Sequence, residues 1–208
     1  EKERQGQMLT KKARFDTVFD EGASQAEVFE RVGREAVQLA QQGYRSSVIT
    51  YGPSGSGKTH TMDGDLADAS RAKWGLVPRV LAEIFDFGKG CRDFGVSLQM
   101  VQLYLERIED LVPADGAGAH VELRGTTENA ELTASRHAVS TYDEALDLYV
   151  RASERRVVGN NAQNMVSSRG HSMLVVTFEW SDLGADGRDA GASSRSKGVL
   201  NLVDLAGS

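Results

Sequence analysis

Residues 52–59 read Gly-Pro-Ser-Gly-Ser-Gly-Lys-Thr, an ungapped match to G-x-x-x-x-G-K-[ST]. Gly52, Gly55 and Gly57 let the backbone curl until successive N–H groups point at one anion, in dihedrals that side chains resist. Pro53, Ser54 and Ser56 fill the variable positions of this cradle. Lys58 can reach the β- and γ-phosphates as a point charge, and the Thr59 hydroxyl can ligate Mg²⁺. A helix beginning here adds its N-terminal partial positive charge. The preceding run Ser47 to Tyr51, rich in β-branched and aromatic residues, reads as a buried strand. Accidental matches in a chain this long occur with a frequency on the order of one in a hundred, and the strand makes accident rarer still. The stretch predicts a triphosphate site.

Two further loops bear on it. Asn164-Met-Val-Ser-Ser-Arg-Gly-His171 places two adjacent hydroxyls before an arginine. That suits a loop closing over a terminal phosphate, one hydroxyl completing the Mg²⁺ shell and the arginine locking the closed state. Asn201-Leu-Val-Asp-Leu-Ala-Gly-Ser208 is an apolar strand delivering D-x-x-G. Asp204 would stand near the metal's water shell, and the Gly207 N–H can bond the γ-phosphate. Alone, either loop is a weak signal: S-S-R triplets are usually solvated, and aspartates at strand ends commonly form turns. In the order cradle, S-S-R, D-x-x-G they describe a nucleotide switch.

The elements that must position these loops follow from pattern. Arg14 to Phe19 reads as a short strand, and Ser24 with Glu27 as a capping box opening a helix. Val28, Val32, Ala36, Leu39 and Ala40 line one face of that helix, and Gly43 stops it. The helix from Lys58 is interrupted by a polar loop, Asp63 to Lys73, and resumes at Leu76 with Pro78 in its first turn. Gly95 to Leu105 is a strand whose apolar positions change phase between Met100 and Val101, a bulge or burial on both faces. Glu106 to Val112 reads as a short helix ended by Pro113, and Ala114 to Ala138 holds at most short hairpin strands. Thr141 and Glu144 form a second capping box, opening a helix to about Val158 with Leu146, Tyr149 and Val150 buried. Met173 to Trp180 and Val199 to Leu205 are strands around a polar loop, Asp182 to Lys197. Alternation of strands and helices predicts an α/β sandwich, and with the phosphate cradle a three-layer P-loop NTPase arrangement. Its central sheet is expected to be mixed and mainly parallel, with helices on both faces.

Composition is that of a folded soluble chain: 208 residues, 40% apolar, 26% charged. No apolar run approaches the ~18 residues of a membrane span. The single cysteine, Cys91, excludes an intrachain disulfide and suits a reducing cytosol. Four scattered histidines show no metal-ligand spacing, and a net charge of −6 argues against these residues binding nucleic acid or an acidic lattice by themselves.

The chain resembles the kinesin motor domain. YGPSGSGKTHTM, NMVSSRGHS and LNLVDLAGS look like that family's three nucleotide motifs, and RFDTVFD, GLVPRVLAEIFD, YLERIEDLV and STYDEALDL extend the likeness in one consistent order. Myosins share the S-S-R logic but differ after the second-sensor aspartate, and the N-K-x-D of small GTPases is absent. The resemblance implies a cytoplasmic, cytoskeletal ATPase acting on microtubules, with ATP and Mg²⁺ as cofactors and no membrane or nucleic-acid partner. By motif, Gly52 to Thr59 hold the phosphates, Thr59 and Ser168 ligate Mg²⁺, and Asp204 meets it through water. Ser167 helps place the attacking water, and Arg169 forms a latch with a glutamate that in the family follows D-L-A-G-S. His60 takes the position beside adenine; a solvated helix residue is the alternative.

Departures are Gly170 where the family has serine, implying a looser loop, and Gln102 and Leu105 in place of Glu and Asn. Residues 1–208 are expected to be part of a motor domain, with its first strand before Glu1 and the main microtubule-binding helices after Ser208. Two competing readings stand beside the motor ATPase. One is a degenerate motor that binds nucleotide and filament without hydrolysis; the other is an unrelated P-loop enzyme. Oligomeric state, direction of movement and cargo are not encoded in this stretch.

Overall fold

The computed structural model describes residues 13–114, 120–126, 130–161, 170–181 and 195–208. The first-sensor residues Ser167, Ser168 and Arg169 lie outside them. The chain opens with α1 (Gln25–Val28), a π-helical turn (Phe29–Gly33) and α2 (Arg34–Gln41). It continues through β1 (Arg45–Thr50), α3 (Lys58–Met62), α4 (Leu76–Gly88) and β2 (Arg92–Tyr104). Short strands follow: β3 (Arg107–Asp110), β4 (His120–Val121), β5 (Leu123–Arg124), β6 (Glu131–Leu132) and β7 (His137–Val139). Then come α5 (Tyr142–Asn161), β8 (His171–Ser181) and β9 (Arg195–Asp204).

The central sheet runs β1-β9-β8-β2-β3-β4, with β7 also on β2, and a separate hairpin pairs β5 with β6. The α/β class and mixed sheet are as expected. The sheet is more antiparallel than the alternation of elements implied: among the described residues only β1–β9 is parallel. The reason lies in the connections. Chain-consecutive strands β2–β3 and β8–β9 pair directly, which makes them antiparallel, and β8 also runs antiparallel to β2 after its return from α5.

One face of the sheet carries the main core. Val48, Leu98, Leu174, Val176, Phe178, Leu200 and Leu202 meet Val37, Ala40, Leu81, Ile84, Leu148 and Ala152 from the helices. The opposite face holds a smaller cluster of Val101, Val121 and Ala134, against which Leu132 and Met173 pack. There Gln99 Nε2 donates to the carbonyls of Leu132 (3.3 Å) and Ala134 (2.9 Å). Among the described residues α2, α4 and α5 all lie on the first face, so the second helical layer expected from sequence is not within them. Strand β1 shows the asymmetry: Ser46 and Val48 are buried, while Ile49 is 58% exposed.

Several local expectations are met and several are corrected. The Ser24 capping box is complete, with Glu27 N–H donating to Ser24 Oγ and Ser24 N–H to Glu27 Oε2. The buried face of this first helix, however, is Phe29, Gly33, Ala36, Val37 and Ala40, while Val32 and Leu39 are exposed. A π turn inserts one extra residue, rotating the apolar face off the plain 3.6 period. Arg14 to Phe19 forms no strand, and Phe15 and Val18 are exposed. The expected helix at Glu106 to Val112 is instead β3. Leu105 (φ 47°) and Glu106 (φ 62°) form a two-residue turn, and Arg107–Asp110 folds back on β2 with Tyr104 opposite Arg107. On β2 the phase change is burial on both faces, since residues 98–102 are all buried and the register on β8 is unbroken there. The second capping box is half formed: Glu144 N–H donates to Thr141 Oγ1, but Glu144 Oε2 accepts from Ser140 N–H. The buried stripe of α5 centres on Ala145, Leu148, Tyr149 and Ala152.

Candidate functional site

The parallel pair β1–β9 sets the site. Their ends, Thr50 and Asp204, lie opposite each other in register, so the loop after β1 and the tail after β9 leave the sheet side by side. The glycine-rich loop follows β1 and turns into α3 through Gly57, whose φ of 90° is left-handed and natural for glycine. Ser208 N–H donates to Gly52 O (3.2 Å), tying the tail to the loop. At Gly207 the approach is closer still: an added Cβ would lie 2.1 Å from Ser54 Oγ and 3.0 Å from Ser54 N. A side chain there would require Ser54 Oγ to turn aside and the loop to give by a few tenths of an ångström.

Between loop, tail and α5 is a cavity of about 510 Å³, lined by Ser54, Gly55, Gly57, Lys58, Thr59, His60, Asp63, Ser153, Arg156, Asp204, Leu205 and Gly207. Most sequence-predicted residues in the described region therefore meet at one place. Pro53 and Ser56 are exposed on the same loop, and Lys58 Nζ donates back to Gly52 O (2.8 Å) and Pro53 O (3.0 Å). His60 is exposed at the cavity wall, and its carbonyl accepts from Gln25 Nε2 (2.8 Å), linking α1 to α3.

Asp204 is the hub. It is 5% exposed, and both its oxygens accept hydrogen bonds. Oδ2 accepts from Thr59 Oγ1 (2.7 Å) and Arg156 Nη1 (3.0 Å), and Oδ1 accepts from Thr50 Oγ1 (3.1 Å). Because Thr59 donates its proton to Asp204, the lone pairs of its oxygen remain for a cation. Arg156 Nη2 also donates to Gly170 O (3.3 Å), so one guanidinium joins the D-x-x-G tail to the strand-side end of the S-S-R loop. His171 makes a second link, its Nδ1 accepting from Ala206 N–H (3.0 Å).

Arg156, His171 and Thr50 were not singled out in the sequence. A signal existed for Arg156: it falls seven residues after the buried Tyr149, on the same face of α5, where a charge needs a partner. Next to it Tyr149 donates to Asp63 Oδ1. Burial raises the Asp63 pKa; the Tyr149 bond opposes that, and the nearby Asp204 charge reinforces it. Burial likewise pushes the Tyr149 phenol well up, with the Asp63 charge adding to it. Among the described residues no cluster of His, Cys, Asp and Glu could hold a metal by itself. A cation here would rest on hydroxyls, water and a ligand's own oxygens, as suits Mg²⁺. No helix among the described residues is long and apolar enough to cross a membrane.

Sheet order, glycine-rich loop and strand-end aspartate together define a P-loop NTPase-like fold. The family model for the kinesin motor domain matches residues 1–208. Kinesin-like protein KIN-14C of Oryza sativa subsp. japonica is 35% identical over 99% of this chain and 21% of its own length. Kinesin-like protein KIF3C of Bos taurus is 32% identical over 96% of this chain and 25% of its own length. A solved fast kinesin, described for its ATPase mechanism and interactions with microtubules, superposes with a TM-score of 0.80 at 28% identity. That match covers 93% of this chain and 53% of the solved one. The chain belongs to the kinesin motor family. It spans about a quarter or less of the curated relatives it matches.

Proposed function

We propose that this chain is the nucleotide-binding portion of a microtubule motor that hydrolyses ATP with Mg²⁺. The observation that carries the reading is the Thr59–Asp204 hydrogen bond of 2.7 Å, which brings the phosphate loop and the D-x-x-G tail to one cavity. The residues suit the cofactor. Gly52 to Gly57 would offer main-chain N–H groups to the phosphates, and Lys58 would exchange its two carbonyl partners for β- and γ-phosphate oxygens. Thr59 and Ser168 would hold Mg²⁺ directly, and Asp204 through water. Bound Mg²⁺ would supply charge neutralisation across the β- and γ-phosphates. Gly207 N–H would report the γ-phosphate, and the Ser208–Gly52 hydrogen bond would couple the tail to the loop. Ser167 would position water, and Arg169 would latch the closed loop. His60, at the cavity wall, is available to the base.

The microtubule is the proposed partner, engaged mainly through parts of the protein outside residues 1–208. The test is phosphate release by the intact protein with and without microtubules, alongside Lys58→Ala. Stimulated turnover that the substitution abolishes supports the reading. Nucleotide binding without turnover in the wild type would instead select the degenerate module.

A further inference from the structure

Asp63 and Tyr149 have no part in the chemistry just proposed, yet they flank it. Asp63 caps α3, and its main-chain N–H donates to Thr59 O (2.7 Å). Tyr149 is 6% exposed, donates its hydroxyl to Asp63 Oδ1, and is hydrogen-bonded by Ser153 one turn further along α5. Arg156 follows on the same face, in positions i, i+4 and i+7, and reaches Asp204 Oδ2, the oxygen that also takes the Thr59 proton. The contacts form a closed circuit: along α3 from Thr59 to Asp63, across to Tyr149, along α5 to Arg156, and back through Asp204 to Thr59.

A circuit of this kind fixes geometry. Arg156 hangs from α5 on a long side chain, and a helix displaced by about 1 Å would carry the guanidinium off Asp204. At the other end of the same face, the Tyr149–Asp63 bond sets where α5 stands against α3. A phenylalanine at 149 would fill the same space, so packing alone does not call for the hydroxyl. Burying a carboxylate against a phenol carries a desolvation cost that an apolar pair would avoid, and its return is a single defined arrangement. We propose that Asp63 and Tyr149 are a positioning pair whose hydrogen bond locks α5 to α3 and so holds Arg156 on Asp204. The inference rests on the proposed ATPase reading for its kinetic consequences only.

The experiment uses the intact protein with Tyr149→Phe, Asp63→Ala, Asp63→Asn and the double variant Tyr149→Phe/Asp63→Ala. The side-chain Nε–H resonance of Arg156 is followed by NMR after arginine ¹⁵N labelling, assigned with Arg156→Lys. Steady-state ATP turnover and thermal melting are measured on the same samples. Tyr149→Phe and Asp63→Ala should each broaden or shift the Arg156 resonance. They should lower kcat by about tenfold while KM for ATP stays within about twofold. The double variant should be no worse than the poorer single one. Asp63→Asn keeps an acceptor oxygen and should retain both resonance and rate. An unchanged Arg156 resonance in Tyr149→Phe overturns the proposal. So do additive losses in the double variant, or kinetic losses that only follow melting temperature. A wild-type protein without turnover would overturn the ATPase reading instead, and the arginine resonance would then decide the positioning role by itself.

Discussion

At the scale of single residues, two glycines of the switch loops should behave oppositely. Gly207→Ala places a methyl 2.1 Å from Ser54 Oγ and 3.0 Å from its main-chain nitrogen, so the tail or the phosphate loop must move. Turnover by the intact protein should fall by about a hundredfold, as expected for a misplaced phosphate donor, and a phosphate-release assay reads this directly. Gly170→Ser meets only Gln102 Cδ and Cγ at 3.5 Å and Leu103 O at 3.6 Å, ordinary contacts. Among the described residues Gln102 Oε1 is buried without a hydrogen-bond partner, and a serine hydroxyl would come within its reach. Rates within about twofold of wild type and equal or higher thermal stability are expected. If Gly170→Ser proved as harmful as Gly207→Ala, the account of this loop would fail. The contrast also shows what sequence could carry. The phosphate loop and Asp204 were legible because their chemistry demands fixed residue types at fixed spacing. His171 was not, because a partner distant in the sequence leaves no local pattern, and Arg156 showed only its place on the buried face of α5.

At the scale of elements, the first helix shows how pattern alone misplaces a face. Its capping box marks the start correctly, but the π turn at Phe29–Gly33 moves burial from Val32 and Leu39 to Gly33 and Val37. The cause is packing: a Cβ at Gly33 would sit 2.5 Å from the Phe29 ring and 3.3 Å from Leu76 Cδ2. Gly33→Ala should therefore destabilise the protein by about 1–3 kcal/mol in denaturant titration despite alanine's better helix propensity. A stabilised variant would show that the π turn is not fixed by this contact. The loop between α3 and α4 offers a pH test. Trp74 stacks on Tyr142 at 6.0 Å, Arg71 lies over the Trp74 ring at 4.8 Å, and burial pushes the Tyr142 phenol up to about 12. A pKa above the ordinary 10.0 means that the unfolded chain loses this proton first. The stability that Tyr142 contributes is thus complete below pH 10 and lost between pH 10 and about 12. Among the described residues its hydroxyl has no hydrogen-bond partner, so Tyr142→Phe should match wild type at neutral pH and outlast it across that alkaline window. Equal alkaline melting curves would contradict this.

At the scale of the whole molecule, the sheet is built asymmetrically. The helical face is closed, while Ile49 stands exposed on the other, and β1 is the sheet's edge among the described residues. The alternation of strands and helices made the α/β class legible. It could not show that consecutive strands would pair directly, since pairing depends on connections rather than composition. The open face, an edge strand and a net charge of −6 lead to one expectation for the 208 residues by themselves. They should be marginally stable, bind a hydrophobic dye, and fail to co-sediment with microtubules. Filament-stimulated turnover by residues 1–208 alone would overturn that expectation. The central claim is that the cavity joining Lys58, Thr59, Asp204 and Gly207 turns over ATP in response to microtubules. It is tested most directly by phosphate release from the intact protein, measured with and without microtubules, for wild type and Lys58→Ala. Microtubule-stimulated turnover is expected in the wild type and none above background in the variant, because Lys58 would bring the cradle's full positive charge to the β- and γ-phosphates. Turnover by Lys58→Ala at the wild-type rate would contradict it.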